Sequence, residues 1–246
     1  MRFVFLWLLF PLCGFCVDKV LILIIASDQF PVYKRLHASW ERYMDSDPEH
    51  IEAYFVRGDP DLDRAYKIEG HTIWTKTAEG WPPHHPGIIN KTILSMEAFE
   101  PRLKEFQYVL RTNLSSFYVF PRLLDYVRTL PKVGCYSAAP IHPKASIGSG
   151  AGFLLSSDVV QLLVAHREEF LGQVGTEDDM LVGRFLERHH IPLIPHARCD
   201  FLDLESFYRK RENLPENVFQ FRVKTEDQDR FVHDSLIHSA LHQVFY

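Results

Sequence analysis

The strongest candidates for catalytic residues in this chain are three consecutive acids, Glu177, Asp178 and Asp179. They follow Gly175 and precede an apolar run that begins at Met180, where a helix is predicted to continue. A carboxylate within hydrogen-bond reach of a hydroxyl group can act as a general base. The helix dipole also stabilises acids in a first turn, so a solvated acidic cap is the structural alternative, and it fits Glu177 best.

A run of small residues lies before the acids, in the segment 148–158 (GSGAGFLLSSD). Gly150, Ala151 and Gly152 have little or no side chain, which lets a substrate approach the backbone closely. The apolar residues after them predict a strand that leads into a helix. We therefore expect this segment and the acid cluster to form two walls of one site.

Alternating strands and helices must position these residues. Strands are predicted at 20–28, 51–58, 71–75, 106–112 and 133–141, and helices at 32–43, 90–99 and 120–130. This alternation is typical of an α/β fold, here a single-domain sandwich whose mostly parallel central sheet is flanked by helices. A last helix is predicted over 230–246, with five apolar residues facing inward: Phe231, Leu236, Ile237, Leu241 and Val244.

Polar side chains follow two of the predicted strands. Ser27 and Asp28 end the first strand, and Arg111, Asn113 and Ser115 belong to the run RTNLSS at the end of the strand 106–112. In open α/β sheets, ligands bind beyond the carboxyl ends of the strands. These five residues are therefore candidates for binding a donor substrate.

Three further cations and one aromatic residue complete the candidate site. Lys91, Arg222 and Lys224 each lie in a loop or at the end of an element, where they could bind an anionic ligand. Trp81 lies in the loop GWPPHHP, and an exposed indole ring can stack on a sugar.

Composition bounds the possible functions. The chain has 246 residues, of which 46% are hydrophobic and 24% are charged, as in an ordinary globular protein. Its net charge of −5 argues against a general affinity for nucleic acid or for anionic membranes.

Residues 1–16 are predicted to be a signal peptide, with a short membrane anchor as the alternative. Arg2 is followed by FVFLWLLFPLCGFC, an apolar run shorter than the roughly 20 residues that a spanning helix needs. Residues 17–246 are then the functional domain. We expect it in the lumen of the secretory pathway or outside the cell, and on a membrane only if the leader is not cleaved.

The cysteines are consistent with that location. Cys13 and Cys16 lie in the predicted leader, so their C-x-x-C spacing does not indicate a redox or zinc site. Cys135 and Cys199 remain, and they would either form a disulfide or be two separate buried thiols.

Histidines offer a different class of function. Of the 13 histidines, His84 and His85 would have to meet His71 or His196 to form a metal-dependent hydrolase site. Zinc ligands favour short fixed spacings such as H-x-x-x-H on a helix, and these four histidines do not have that spacing. A histidine metal site is therefore the least favoured alternative.

Four motifs in order carry a family resemblance. KTILSMEAF, FQYVLRTNLSSFYVF, GSGAGFLLSSDVV and EDDMLVGRFLERHHI follow one another between about Asn90 and His190. Together they resemble the glycosyltransferases of the β1,3-galactosyltransferase and Fringe type. The segment FRVK at 221–224 is similar to the Arg-x-Lys near the ends of some viral and algal glycosyltransferase-like proteins. This resemblance implies a GT-A fold, a nucleotide-sugar donor (first of all a UDP-sugar) and a glycan, glycoprotein or glycolipid acceptor.

The chain departs from the family at the metal site. Where the family has an acidic DxD motif and usually a divalent metal ion, this sequence has Asn113, Leu114 and Ser115. Mg²⁺ and Mn²⁺ prefer carboxylate ligands, so no metal ligand is assigned here. The charge on the leaving diphosphate must then be stabilised by cationic side chains. The candidates are Lys91, Arg111, Arg222 and Lys224.

The resemblance also implies residue roles. Asp179 matches the family's catalytic base and Asp178 the acid before it, and a single base implies inversion at the anomeric carbon. Asn113 and Ser115 would contact the ribose or the sugar hydroxyls. A catalytically inactive relative that binds glycans or nucleotides is the alternative, since a fold does not fix a function.

Overall fold

The computed structural model describes residues 19–80, 84–226 and 229–246. Its helices are α1 (Pro31–Glu41), α2 (Gly87–Phe99), α3 (Phe120–Val127), α4 (Ser157–Ala165), α5 (Asp178–Arg188), α6 (Leu204–Lys210) and α7 (Arg230–Phe245). Its strands are β1 (Val20–Ile25), β2 (Ile51–Gly58), β3 (Tyr66–Glu69), β4 (Thr72–Thr75), β5 (Tyr108–Asn113), β6 (Ser116–Tyr118), β7 (Tyr136–Pro140), β8 (Gly148–Ser156), β9 (Leu193–Pro195), β10 (Cys199–Phe201) and β11 (Gln220–Val223).

Eight strands form a central sheet in the order β3-β4-β2-β1-β5-β8-β7-β9. The strands from β4 to β5 are parallel, whereas β3, β7 and β8 make antiparallel pairs with their neighbours β4, β8 and β5. The predicted α/β fold with a large sheet flanked by helices is confirmed. The sheet is mixed because the chain reverses direction in β8, beside β5.

Two hydrophobic cores lie on opposite faces of this sheet. Strand β1 is buried along its whole length, with Val20, Ile22 and Ile24 in one core and Leu21 and Leu23 in the other. This follows from the two-residue repeat of a strand, which sends successive side chains to opposite faces. Helices α1, α3 and α7 contribute to the first core, and α2, α4 and α5 to the second.

A second, three-stranded sheet has the order β10-β11-β6 and was not expected from the sequence. Strand β6 follows directly on the turn after β5 and pairs antiparallel with β11, so Arg222 lies opposite Ser116. Strand β10 pairs parallel with β11 and places Asp200 beside Arg222. This sheet therefore brings a segment about 100 residues later in the chain to the end of β5.

The buried face of α7 is partly polar. It consists of Asp234, Ile237, His238 and Leu241, a stripe with helical spacing. The prediction of five inward apolar residues was wrong for three that are exposed: Phe231, Leu236 and Val244. Hydrophobicity alone misplaced the face because the Asp234 carboxylate accepts hydrogen bonds from Thr225 there.

The predicted leader, residues 1–16, and Trp81 lie outside the described residues. Within the described part of the chain, no helix is long and apolar enough to cross a bilayer. Cys135 and Cys199 are both free thiols, as in the second of the two alternatives stated for them, but only Cys135 is buried and Cys199 is partly buried. Burial raises the pKa of the Cys135 thiol to about 12.

Candidate functional site

A cleft of about 380 Å³ opens at the carboxyl ends of β1 and β5. Its walls come from β1, the start of α2, the turn between β5 and β6, the first half of β8, the start of α5, and β11. It brings together most of the residues predicted from the sequence: Ser27, Lys91, Arg111, Asn113, Ser115, Gly150, Ala151, Asp178, Asp179, Arg222 and Lys224.

The turn in the place of the acidic motif is closed by its own hydrogen bonds. The Oδ1 atom of Asn113 accepts a hydrogen bond from the Ser115 amide at 3.1 Å, and its Nδ2 atom donates to the Gly150 carbonyl at 3.2 Å. Leu114 is buried. The Asn113 side chain thus ties the end of β5 to β8 and leaves no carboxylate at this position.

Arg111 is buried and bonded within the protein. Its guanidinium donates to the Asp178 carboxylate, to the Gly150 carbonyl and to the Thr92 hydroxyl. Burial raises the pKa of Asp178 above its usual value, while the adjacent Arg111 acts in the opposite direction. Arg111 therefore neutralises Asp178 and fixes the start of α5 to the sheet.

Lys91 has a similar arrangement on α2. Its ammonium donates to the Ala26 carbonyl at 2.8 Å and to Glu79 Oε2 at 2.7 Å. Burial, opposed by the Glu79 carboxylate, lowers the pKa of Lys91. The sequence singled out Lys91 but missed Glu79, which lies twelve residues earlier in the loop that leads into α2.

Asp179 lies at the first turn of α5 and is only partly buried. Its Oδ2 atom accepts a hydrogen bond from the Gly150 amide at 2.6 Å. A Cβ atom added at Gly150 would lie 3.0 Å from that same oxygen, so glycine is the residue that allows this contact. The two walls predicted from the sequence, the small-residue run and the acids, meet at this hydrogen bond.

Arg222 and Lys224 bring positive charge to the cleft. Arg222 on β11 reaches the Asp200 carboxylate at 3.9 Å. Burial lowers the pKa of Arg222, and the nearby charge of Arg198 lowers it further. Burial also lowers the pKa of Lys224, with Arg222 as the next cause. The cleft therefore holds cations whose mutual repulsion is only partly compensated by acids.

Two predicted site residues lie elsewhere, and a third is not described. Asp28 is exposed and bonded to Arg57, outside the cleft. At Gly152 an added Cβ atom would overlap the Tyr118 hydroxyl and lie 2.8 Å from Gln220 Nε2, so this glycine allows internal packing and not the approach of a substrate. Trp81 is outside the described residues, as stated above.

The histidines of the alternative metal site make other contacts within the protein. Among the described residues, no group of three histidine, cysteine, aspartate or glutamate side chains is arranged to hold a metal ion. His71 contacts the Ala53 carbonyl, and His196 lies between Ser137 and Gln220, so the histidines of the alternative hydrolase do not converge. The neutral turn at Asn113 likewise lacks the carboxylates that a hard cation requires.

Sequence reasoning also missed Arg230, at the start of α7. Its Nη2 atom donates to the Ser115 hydroxyl at 3.1 Å, and its guanidinium lies 5.6 Å from the centre of the Tyr33 ring. Both Ser115 and Tyr33 line the cleft. No local pattern marks this arginine, because 115 residues separate it from Ser115 in the chain.

Comparisons of structure, but not of sequence, find proteins similar to this one. No protein-family model and no curated protein matches it. A crystal structure of a glycosyltransferase involved in the glycosylation of the major capsid of PBCV-1 matches 88% of this chain and 98% of its own, with a TM-score of 0.54 and 10% identity. A 4-diphosphocytidyl-2C-methyl-D-erythritol synthase from Anaerococcus prevotii matches 92% and 98% of the two chains, with a TM-score of 0.49 and 12% identity. At these identities the likeness concerns the fold alone, and the chain has a GT-A-like α/β fold.

Proposed function

We propose that this protein is a glycosyltransferase that moves a sugar from a nucleotide-sugar donor to a hydroxyl group of a glycan, glycoprotein or glycolipid. One observation carries the proposal. In a GT-A-like fold, a single cleft at the carboxyl ends of the strands holds a partly exposed carboxylate, Asp179, and two cations, Arg222 and Lys224. Transfer from a nucleotide sugar requires both a base and positive charge.

The cations would bind the diphosphate of the donor. Negative charge builds up on the diphosphate as it leaves, so fixed positive charge there stabilises the transition state more than the ground state. Arg222 and Lys224 line the same cleft as Asp179, and β11 places them next to the turn at Asn113. They take the place of the divalent metal, and the reaction is therefore metal-independent. A UDP-sugar is the first donor to test.

Asp179 would act as the general base. The acceptor hydroxyl loses its proton to the carboxylate as its oxygen attacks the anomeric carbon, while the bond from that carbon to the diphosphate oxygen breaks. One displacement by one nucleophile inverts the configuration at the anomeric carbon. The Gly150 amide, which donates to Asp179 Oδ2, holds the carboxylate in one orientation for this step.

Asp178 has a supporting role in this mechanism. Its charge is balanced by Arg111 and it is buried, so it positions the first turn of α5 and does not accept the proton. The predicted leader at residues 1–16 adds the proposal that the enzyme works in the lumen of the secretory pathway.

A protein that only binds nucleotides or glycans is the second candidate. It is favoured by the hydrogen bonds that already occupy both Asp179 oxygens, from the Gly150 amide and from the Met180 amide at 2.9 Å. Each carboxylate oxygen has a second lone pair, so these bonds leave room for an acceptor hydroxyl.

Nucleotide release from a panel of nucleotide sugars tests the proposal. Asp179→Asn keeps an oxygen for the Gly150 amide but removes the base, so turnover should fall at least about 100-fold while nucleotide affinity stays the same. Asp125→Asn, at an exposed acid of α3, is the matched control and should be fully active. Wild-type binding of nucleotide without any turnover would favour the second candidate.

A further inference from the structure

We infer that Arg230, held in place by the buried Asp234, is a third cation of the diphosphate-binding site. This inference rests on the proposed function and names a residue that neither the motifs nor the family resemblance indicated. It also assigns a purpose to the polar inward face of α7.

The position of Arg230 is the first observation. It lies between Ser115 on the turn after β5 and Tyr33 on α1, and both of these residues line the cleft. Its side chain is 23% exposed, so it is not fully enclosed by the protein. A ligand bound against the turn at Ser115 would meet this charge.

The support beneath Arg230 is the second observation. Its Nε atom donates to Asp234 Oδ2 at 2.9 Å, and the other carboxylate oxygen of Asp234 accepts from the amide and hydroxyl of Thr225, each at 2.9 Å. Asp234 is fully buried. A buried carboxylate whose two oxygens are committed in this way fixes one orientation of the guanidinium, which reduces the entropy lost on binding a ligand.

The charge balance is the third observation. Besides burial, the charges of Arg198 and Arg230 lower the pKa of Arg222, and those of Arg222 and Arg230 lower the pKa of Lys224. Asp200 bonds to Arg198 through both oxygens and is 3.9 Å from Arg222. Holding these cations together is costly in the free protein, and a bound dianion would relieve that repulsion.

The diphosphate, more than the nucleoside, is the group that these cations suit. Guanidinium groups present planar pairs of donors that match phosphate oxygens. The structure therefore predicts a preference for nucleoside diphosphates over monophosphates that depends on Arg230.

Binding of UDP and UMP in the presence of EDTA, measured by calorimetry, tests this inference. Arg230→Gln should weaken UDP binding about tenfold or more, as expected for loss of a charge-assisted hydrogen bond, and should change UMP binding less than about threefold. Asp234→Asn should reduce the same preference, because an amide nitrogen would face the Arg230 Nε–H. Arg209→Gln, at an exposed arginine of α6, is the matched control and should leave both affinities unchanged.

Inorganic pyrophosphate separates this inference from the proposed function. It should raise the melting temperature of the wild type and of Arg209→Gln, and should raise that of Arg230→Gln clearly less. If pyrophosphate stabilises the protein in this Arg230-dependent way while no nucleotide binds, the anion site stands and the assignment of a nucleotide-sugar donor fails. If Arg230→Gln folds and retains both the wild-type preference for UDP and the pyrophosphate effect, Arg230 has no part in the site and the inference is overturned.

Discussion

The buried pair Arg111 and Asp178 gives a sharp prediction about stability. Arg111→Met removes the guanidinium but keeps much of its volume, and it leaves Asp178 as an unpaired buried carboxylate. Loss of one partner of a buried pair costs about 3–5 kcal/mol in the free energy of unfolding. In a domain of this size that corresponds to a fall of roughly 6–20 °C in melting temperature.

The destabilisation should depend on pH and on Asp178. Without Arg111, burial raises the folded-state pKa of Asp178 above its unfolded value, so this carboxyl disfavours folding more as the pH rises. The difference in the free energy of unfolding between wild type and Arg111→Met should therefore become smaller when the pH is lowered from 7 to 5. Adding Asp178→Asn should recover at least about 1 kcal/mol, because it removes the unpaired charge.

Urea denaturation at both pH values measures these free energies. Arg128→Met is the control, since Arg128 forms an exposed ion pair with Asp125 that is worth about 0–1 kcal/mol. The reasoning is refuted if Arg111→Met costs less than about 1 kcal/mol, or if the double variant is as unstable as the two single effects added together.

Three further predictions concern single residues. Gly150→Ala should displace the Asp179 carboxylate and lower kcat with little change in nucleotide affinity. Turnover and binding assays check this together. A kcat equal to that of the wild type would mean that this contact does not position the base. Cys135 and Cys199 should both be alkylated without prior reduction, and the buried Cys135 only after unfolding, as peptide mapping would show; a peptide that needs reduction first would indicate a disulfide. Burial lowers the pKa of His238 to about 3, so near pH 5 only the unfolded chain gains a proton there. This protonation should lower the free energy of unfolding by about 2 kcal/mol between pH 7 and pH 5. His238→Gln should reduce that acid sensitivity in urea denaturation at the two pH values, and an unchanged slope would contradict the assignment.

Local patterns predicted most of the main elements. Strand β2 (Ile51–Gly58) has the predicted bounds, and the strand that begins at Gly148 leads directly into α4 as its small-then-apolar run indicates. The acids at 177–179 lie at the start of α5, as their position before an apolar helical run implies. These features depend on neighbouring residues, which a sequence displays directly.

Features that depend on distant contacts could not be predicted in this way. The sequence does not distinguish a buried, ion-paired arginine from one that binds a ligand, and only the fold shows that Asp178 neutralises Arg111. Gly152 looks like Gly150 in sequence, but Tyr118 fills the space beside it. Arg230 reaches the site because α7 packs under the turn at Ser115, a contact that no sequence pattern encodes.

The direct test of the central claim is the effect of EDTA on turnover. The turn at Asn113 offers no carboxylate, so cations in the cleft would stabilise the leaving diphosphate without a metal. Turnover should therefore be the same with EDTA and with added Mn²⁺, and Arg222→Gln should lower kcat at least about tenfold. If EDTA abolishes turnover and Mn²⁺ restores it, a metal ion stabilises the diphosphate and the cation clamp is refuted.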